Sequence, residues 1–591
     1  MMNVGPEQKK NKNHWSTLKV LLNANHYALQ ANKKVYIAIL ILTFMNSLNV
    51  YVSLSFTEYV VNAATYIINQ QISFVQAAQT VLLYTILLLV FILLSVLTTN
   101  FKNRLFLDVN HVFQKQLNAK LSHIEWEYYE KHTAFTQIFE VRQHANQAIL
   151  ELLDSSFVLL SFVPNSIVFV FYLLQINILV IPIYILLVLA FNLKLAGQMF
   201  SKLQQYWKDV QPYAQKRAYY FGMSGDKVTH QEFRFLRLFD FATKRWEDCF
   251  NAEFHIKLKI FRKHEITLQT ARFLFNIPYI LMMIFIGFEI MQGKHEIGFL
   301  IMANSLLNQI IDTCLQIQSH LVRSHVNQGF VHTWKQVMEY HEMPPLPPPT
   351  AEFMTLSLHH VYYVYPQSTY NALEDLNLTV NKGQKIAIVG VNGSGKTTFV
   401  NILCKLTQNF KGHISDLSKI NVSCVSQNFA QYQMTIKDNI AMGNIRKNFS
   451  DEEIWSLLQQ VGLEDCVATL PQGIYTQLGE LDEGIELSKG QWQRIAIARL
   501  LANQEANLWI LDEPTAYLDP ISEIEIYNMI YRLSGTRTVF FISHRLGFAK
   551  WADDILVFQN GKIVENGTHE TLLNLHGEYA RMYASQQSWY T

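Results

Sequence analysis

Six apolar stretches before residue 320 constrain the fold of this chain more than any other feature of its sequence. Each stretch is close to the roughly 20 residues that a helix needs to cross the hydrocarbon core of a bilayer. They are Val35–Phe56, Ala77–Leu97, Phe157–Leu174, Ile178–Phe191 (extending to about Gly197), Phe273–Ile290 and Ile297–Ile317. Because a helix satisfies its own backbone hydrogen bonds in lipid, the pattern predicts a helical domain that crosses the membrane six times.

The composition agrees with a membrane protein. Only 16% of the residues are charged, whereas soluble domains carry about 25%. The formal net charge of +1 gives no basic field, so nucleic acid is not expected as a partner. The five cysteines have no spacing typical of a metal site or a redox pair, which predicts reduced, structural thiols.

The distribution of basic residues predicts the orientation of the helices. The segments 57–76, 175–177 and 291–296 contain a single basic residue, Lys294, whereas 98–156 and 198–272 contain many. Basic loops stay on the cytoplasmic side, so both termini are predicted to be cytoplasmic in a multi-pass protein of the cell membrane. The first 34 residues are polar and do not resemble a cleavable signal peptide.

The two basic inner segments are too long to be simple turns. They are rich in helix formers, which predicts helices that continue well below the membrane. Their tips are predicted at Ile124–His132 and Gly225–Phe233, where each would contact another part of the protein. A solvated loop is the alternative for either tip.

Several polar residues interrupt the apolar stretches. They are Asn46, Asn49, Asn165, Asn304, Asn308 and Asp312. Polar residues at such positions commonly face a bundle interior or a water-filled cavity, which makes them candidates to line a substrate path. Hydrogen bonding between helices is the alternative.

A proline-rich segment marks a domain boundary. Residues 344–349 read Pro-Pro-Leu-Pro-Pro-Pro, which forbids a helix and favours an extended spacer. The predicted organisation is a cytoplasmic segment over 1–34, a transmembrane domain over 35–320, a linker over 321–352 and a further domain over 353–591, which the phosphate-binding motif described next predicts to be an ATPase domain.

A nucleotide-phosphate loop occupies residues 390–397, which read Gly-Val-Asn-Gly-Ser-Gly-Lys-Thr. It lies between a short apolar strand, Lys385–Val389, and a predicted helix, Thr398–Leu406, which is the context that this motif requires. The predicted nucleotide-binding residues are Gly390, Asn392, Gly393, Ser394, Gly395, Lys396, Thr397 and Thr398. Lys396 would neutralise the β- and γ-phosphates of ATP, and Thr397 would ligate Mg²⁺.

A second apolar strand, Leu508–Leu511, ends in an acid pair, Asp512 and Glu513. Asp512 is suited to hold Mg²⁺ and Glu513 to polarise the attacking water. The phosphate loop lies upstream in the same domain, which strengthens this interpretation.

Residues 487–491 read Leu-Ser-Lys-Gly-Gln, and here the chain resembles the ATP-binding-cassette (ABC) transporters. Their hallmark at this place is Leu-Ser-Gly-Gly-Gln, from which Lys489 departs. The resemblance implies an α/β P-loop domain in which Ser488, Gly490 and Gln491 contact nucleotide.

Other elements follow the order of the family. The resemblance implies that Tyr365 stacks on adenine and that Gln427 joins Mg²⁺ to the membrane domain. It also implies that Asp519 lies in a loop at the dimer contact and that His544 contacts the γ-phosphate. With Glu513, the residues His544 and Gln427 complete the expected catalytic set.

The order of crossings and cassette resembles the exporter class of half transporters. In that family two cassettes enclose two ATP molecules, which implies a dimer, either of two copies or with a related half. Trp492, directly after the signature, and the stretch 478–487 before it resemble the lantibiotic and bacteriocin exporters of Gram-positive bacteria that lack a peptidase domain. That likeness implies export of a modified peptide, with peptide-modification enzymes as further partners.

Other functions remain open from the sequence. A drug or lipid exporter of the same architecture, possibly half of a heterodimer, is the first alternative. An importer built on the exporter fold is another. A non-transport ATPase or a regulatory binding module is disfavoured by the six crossings.

Overall fold

The computed structural model describes residues 14–176, 209–343 and 354–587, except 211, 224, 226, 367, 416, 481–482, 515–519 and 544–545. The chain divides into two compact units. We call Met1–Ser122 with Thr136–Glu339 the helical unit, and His123–Phe135 with Tyr340–Thr591 the α/β unit.

Long helices build the first part of the chain. They are α1 (His14–Ile68), α2 (Phe74–His123), α3 (Glu127–Glu130), α4 (His132–Glu140), α5 (Asn146–Ile176), α6 (Lys227–Leu236), α7 (Phe239–Met291) and α8 (Ile297–Met338). A π-helical turn, Val141–Ala145, joins α4 to α5. The helices α2, α7 and α8 extend far beyond the predicted crossings.

A break at Asn32 divides α1, because this residue has φ −157° and ψ 87°. Its side-chain oxygen accepts the Val35 N–H at 3.2 Å, so Asn32 caps the helix that contains the first predicted crossing. Its side-chain nitrogen donates to Asp108 Oδ2 on α2 at 2.8 Å. The polar N-terminal segment and the first crossing are therefore separate helices.

The described residues include four helices that are long and apolar enough to cross a membrane. They are Val20–Ile68, Phe74–His123, His132–Tyr172 and Ile297–Leu321, and they contain the first, second, third and sixth predicted crossings. The fifth prediction, Phe273–Ile290, overlaps a shorter apolar helix, Tyr279–Met291. The fourth, Ile178–Phe191, lies outside the described residues.

The apolar side chains of the helical unit are divided between a core and an outer surface. One core cluster contains Leu54, Ile286, Met302 and Leu306, all fully buried. By contrast, the most apolar window of α2 has no buried residue. Such a surface is stable in lipid and costly in water, which indicates a membrane protein.

The α/β unit contains two sheets. Its strands are β1 (Thr355–Val364), β2 (Asn371–Asn381), β3 (Lys385–Gly390), β4 (Lys411–Ile414), β5 (Val422–Val425), β6 (Leu508–Asp512), β7 (Thr538–Ile542), β8 (Asp554–Gln559) and β9 (Lys562–Gly567). One sheet has the order β2-β1-β4, and the other has the order β5-β6-β7-β3-β8-β9. The second sheet is parallel except for β9. Every residue of β3, β6 and β7 is buried, as expected for parallel strands covered on both faces.

Helices complete the α/β unit. They are α9 (Lys396–Leu403), α10 (Ile436–Ala441), α11 (Asp451–Gln460), α12 (Glu464–Ala468), α13 (Lys489–Ala502), α14 (Pro520–Ser534), α15 (His569–Asn574) and α16 (Glu578–Gln587). The carboxyl ends of β3, β5 and β6 lead to the phosphate loop, Gln427 and the acid pair respectively. Because β5, β6 and β3 belong to one parallel sheet, their carboxyl ends share one edge, where ligands of α/β folds bind.

Candidate functional site

The phosphate loop needs glycine at two positions. Gly390 has φ +150°, and a Cβ there would lie 2.3 Å from the Phe558 carbonyl oxygen. Gly395 has φ +106°, and a Cβ there would lie 2.7 Å from the Ala372 carbonyl oxygen. Any side chain would therefore open the loop, which carries the chain from β3 into α9.

Lys396 is held against its own loop. Its side chain is only 7% exposed, and Nζ donates to the carbonyl oxygens of Gly390 at 2.8 Å and Val391 at 3.0 Å. Burial lowers the pKa of the Lys396 ammonium, and the charges of Glu513 and Asp512 oppose that shift. The Lys396 ammonium is therefore a fixed hydrogen-bond donor near the carboxylates of Asp512 and Glu513.

The acid pair at the end of β6 is arranged to meet a cation. Burial and the neighbouring Glu513 carboxylate raise the pKa of Asp512 to about 6, and the Lys396 ammonium opposes the rise. Glu513 has φ +51°, which is uncommon outside glycine and concentrates at functional sites. Its N–H donates to the Ile542 carbonyl oxygen at 2.8 Å, which fixes its backbone beside β7.

Gln427 completes the group, because its Nε2 donates to Glu513 Oε2 at 2.9 Å. These side chains line one open cleft of about 550 Å³. The lining consists of Tyr365, Ala372, Asn392, Gly393, Gly395, Lys396, Thr397, Thr398, Gln427, Asp512 and Glu513. A cation, two carboxylates, hydroxyls and a glycine loop in one cleft are suited to a phosphate chain and its metal ion.

Tyr365 lies at one side of the cleft. Its hydroxyl is 3.0 Å from Thr398 Oγ1, and its ring meets that of Tyr363 edge to face at 5.0 Å between centroids. The sequence named Tyr365 but missed Ala372, which carries no chemical signal and lines the cleft through its place on β2.

Two predicted loop residues lie behind the lining. Gly390 offers its carbonyl oxygen to Lys396. Ser394 is 2% exposed, and its Oγ has no hydrogen-bond partner among the described residues. Both shape the loop rather than face the open cleft.

Ser488, Gly490 and Gln491 are not among the residues that line this cleft. Ser488 caps α13: its Oγ accepts the Gln491 N–H at 3.3 Å, and the Gln491 side chain accepts the Ser488 N–H at 2.8 Å. This reciprocal capping box fixes the turn at the start of α13. The other two predicted site residues, Asp519 and His544, lie outside the described residues.

The first predicted contact tip belongs to the α/β unit. Its helix α3 carries Glu127, whose Oε1 accepts from Asn409 Nδ2 at 2.6 Å. Tyr128 stacks on Tyr340 with ring centroids 4.1 Å apart, and Ile124 forms a bridge with Glu342. The sequence did not identify Asn409, which follows α9 and has no motif of its own.

The second predicted tip, Gly225–Phe233, overlaps α6. The contact between this tip and another part of the protein stays a prediction.

Residues 373–516 match the sequence family described as ABC transporter. This region is an ABC transporter domain. It includes the phosphate loop, Gln427, the signature turn and the acid pair, so the ABC transporter domain supplies a site for ATP.

The chain has the fold of an ABC exporter over 94% of its length. It resembles the solved structure of a bacterial Atm1-family ABC exporter with ATP bound, with a TM-score of 0.77 and 21% identity, over 94% of this chain and 98% of that one. The predicted fold class, a helical membrane domain followed by an α/β P-loop domain, is confirmed.

Proteins similar to this chain have several described roles. The nisin transport ATP-binding protein of Lactococcus lactis is 38% identical over 245 residues, which are 39% of this chain and 41% of that protein. The subtilin transport ATP-binding protein of Bacillus subtilis is 39% identical over 239 residues, 38% and 39% of the two chains. An ATP-dependent lipid A-core flippase of Methylobacillus flagellatus is 30% identical over 360 residues, 59% and 60% of the two chains. The match thus spans about two fifths of the first two relatives.

Proposed function

We propose that this chain is one half of a dimeric, ATP-driven exporter of peptides in the cell membrane. One observation carries the proposal. Lys396, Asp512, Glu513 and Gln427 meet in a single cleft, in a chain whose fold is that of an ABC exporter over 94% of its length.

The residues of the cleft have distinct roles in this proposal. Lys396 would turn from its loop carbonyls to the β- and γ-phosphates, while Thr397, Asp512 and Gln427 would hold Mg²⁺. Glu513 would orient and deprotonate the attacking water, and His544 would contact the γ-phosphate. Bound ATP with Mg²⁺ supplies the phosphoanhydride bond whose hydrolysis drives the cycle.

The signature turn motivates the dimer. Ser488, Gly490 and Gln491 do not line the cleft of their own chain, so their predicted contact with nucleotide requires a second chain. The partner is a second copy or a related half transporter, and each ATP would lie between one phosphate loop and the other chain's signature turn. Closing this composite site would favour the outward-open state, because ATP binds one conformation more tightly than the other.

A peptide cargo is supported by the similarity to the nisin and subtilin transport proteins. That similarity covers 39% and 38% of this chain. The lipid A-core flippase and a putative multidrug export protein of Staphylococcus aureus, 35% identical over 242 residues, support the second candidate function, export of a lipid or a drug. We further propose cytoplasmic termini and a Gram-positive host.

Deleting the gene and comparing peptides inside the cell with those in the medium tests this function. We expect a modified precursor peptide to accumulate in the cytoplasm and to return to the medium when the wild-type gene is restored. Restoring the Glu513→Gln variant provides the control, since it should leave the peptide inside. Equal secretion with and without the gene would contradict peptide export, and altered drug resistance or lipid distribution would favour the second candidate.

A further inference from the structure

Two rows of polar side chains face each other between α1 and α2, near the end of the apolar stretch Ala77–Leu97. On α1, Thr43, Asn46 and Asn49 recur every three residues and share one face. On α2, the matching face carries Ser95, Thr98, Thr99 and Lys102, spaced as neighbours on a helix. Asn46, Asn49, these four α2 residues and Phe91 line a recess of about 250 Å³.

The hydrogen bonds of this recess are incomplete. Asn46 Nδ2 donates to Thr98 Oγ1 at 2.7 Å, and this contact holds the two helices in register. The side-chain oxygens of Thr43, Asn46 and Asn49 are buried without a hydrogen-bond partner among the described residues. A buried acceptor away from water is costly unless a donor reaches it, so the recess is incomplete without further donor groups.

The far end of the recess carries a positive charge. Lys102 Nζ lies 3.7 Å from Asp154 Oδ1 on α5 and 5.4 Å from the ring centroid of Phe157. An ammonium has three donors, and this long contact to Asp154 leaves Lys102 able to share them. The recess therefore combines amide acceptors, hydroxyls and one cation.

We infer that this recess is a cargo subsite that binds an extended peptide segment through its backbone. A peptide offers N–H donors for Asn46 and Asn49 and carbonyl or carboxylate oxygens for the hydroxyls and Lys102. An acyl chain or an apolar drug offers no donors and would leave the amide oxygens unpaired, which a polar site rejects strongly. The volume is below the roughly 300–1,000 Å³ of pockets that enclose drug-sized ligands, which suits a segment of a longer chain.

The inference rests on the proposed export of peptides and names a binding subsite for that cargo. The test uses the full-length protein in phosphatidylcholine nanodiscs, with a synthetic pool of random decapeptides as the probe. We expect the pool to stimulate ATP hydrolysis by the wild type. Asn46→Leu with Asn49→Leu should raise the half-stimulating peptide concentration about tenfold, because two hydrogen bonds to the peptide are lost. Basal hydrolysis and the KM for ATP are measured on the same samples.

Two further variants control for folding. Asn49→Leu alone keeps the bond from Asn46 to Thr98 and should give a smaller shift, of about threefold. Thr85→Val removes a hydroxyl elsewhere on α2, which donates only to the Val81 carbonyl oxygen at 2.8 Å. That variant should respond to peptides like the wild type.

Each other outcome decides against the inference in a distinct way. Equal stimulation of the wild type and the recess variants overturns the inference and leaves peptide export standing. Hydrolysis that peptides do not stimulate even in the wild type contradicts both the inference and the proposed export of peptides. Loss of dimer mass in the recess variants would assign the recess to the contact between two copies. A wild type that hydrolyses no ATP would exclude a working dimer of two copies and would point to a related half transporter as the partner.

Discussion

The nucleotide cleft and the α1–α2 recess are both lined by polar groups, but they differ in how those groups are partnered. In the cleft, Lys396 is already bound to two loop carbonyls and Gln427 to Glu513. In the recess, the Asn46 and Asn49 oxygens have no partner among the described residues. The cleft is thus organised in advance for one ligand, whereas the recess depends on a ligand to complete it. That difference agrees with a cleft that always binds ATP and a recess that binds peptides of varied sequence.

The largest effect should come from the acid whose position the cleft fixes most tightly. We expect Glu513→Gln to lower steady-state ATP turnover about a thousandfold, because a positioned base is lost. ATP binding should persist, since Lys396 and the loop remain. Phosphate release and equilibrium ATP binding measure the two effects.

Glu505→Gln, on an exposed turn, is the control for that change and should hydrolyse ATP normally. Near-wild-type turnover in Glu513→Gln would show that Glu513 is not the base that deprotonates the attacking water. The cleft would then not be organised in advance around that residue.

Removing the Lys396 ammonium from the cleft should weaken the binding of ATP as well as lower its hydrolysis. Lys396→Ala deletes charge-assisted hydrogen bonds to the phosphates, and we expect ATP affinity to fall about a hundredfold. Lys405→Ala is matched in charge but lies outside the cleft lining, where Nζ donates to the Ile420 carbonyl oxygen at 2.8 Å. Unchanged ATP affinity in Lys396→Ala would contradict the phosphate-loop assignment.

The acid pair predicts a dependence on pH that the recess should lack. The pKa of Asp512 is raised to about 6, so the carboxyl is ionised above pH 6 and takes up a proton as the pH falls through that value. Because Mg²⁺ requires the ionised form, Mg²⁺–ATP affinity should fall up to tenfold per pH unit below 6. Calorimetric titration from pH 5 to 8 measures it, and an equal slope in Asp512→Asn would refute the assignment.

The smallest effect should come from the signature turn. Ser488→Ala removes the cap of α13 and should cost about 1 kcal/mol of unfolding free energy. Thr435→Ala removes a similar cap, in which the Thr435 side chain accepts the Asp438 N–H at 3.0 Å. Denaturant titration should show similar losses, whereas ATP hydrolysis should fall only in Ser488→Ala. Equal hydrolysis in the two variants would leave Ser488 with a purely local role.

Functional motifs made of contiguous residues can be recognised from the sequence alone. The phosphate loop and the acid pair each lie at the end of one strand, so local pattern located them. Gln427 lies 86 residues from Glu513 and was identified through family resemblance. Asn409 and Glu127 are 282 residues apart, and no local pattern links them.

In the membrane helices, too, the sequence does not show which distant residues lie side by side. Asn46 and Asn49 were recognisable as polar interruptions, but their alignment with Ser95, Thr98 and Lys102 depends on how α1 packs against α2. Asn304 illustrates the other outcome for such residues, because it accepts a hydrogen bond from Tyr279 on α7. Two asparagines with the same sequence signal thus have different surroundings, which only packing decides.

The segment 123–135 has a consequence for how such proteins can be recombined. The polypeptide passes between its two units at 122/123, 135/136 and 339/340, so a single junction near residue 340 does not separate them. A chimera that exchanged only the residues after 340 would present a foreign surface to Glu127 and Tyr128. A working chimera therefore requires that residues 123–135, which lie more than 200 residues upstream, be exchanged together with the residues after 340.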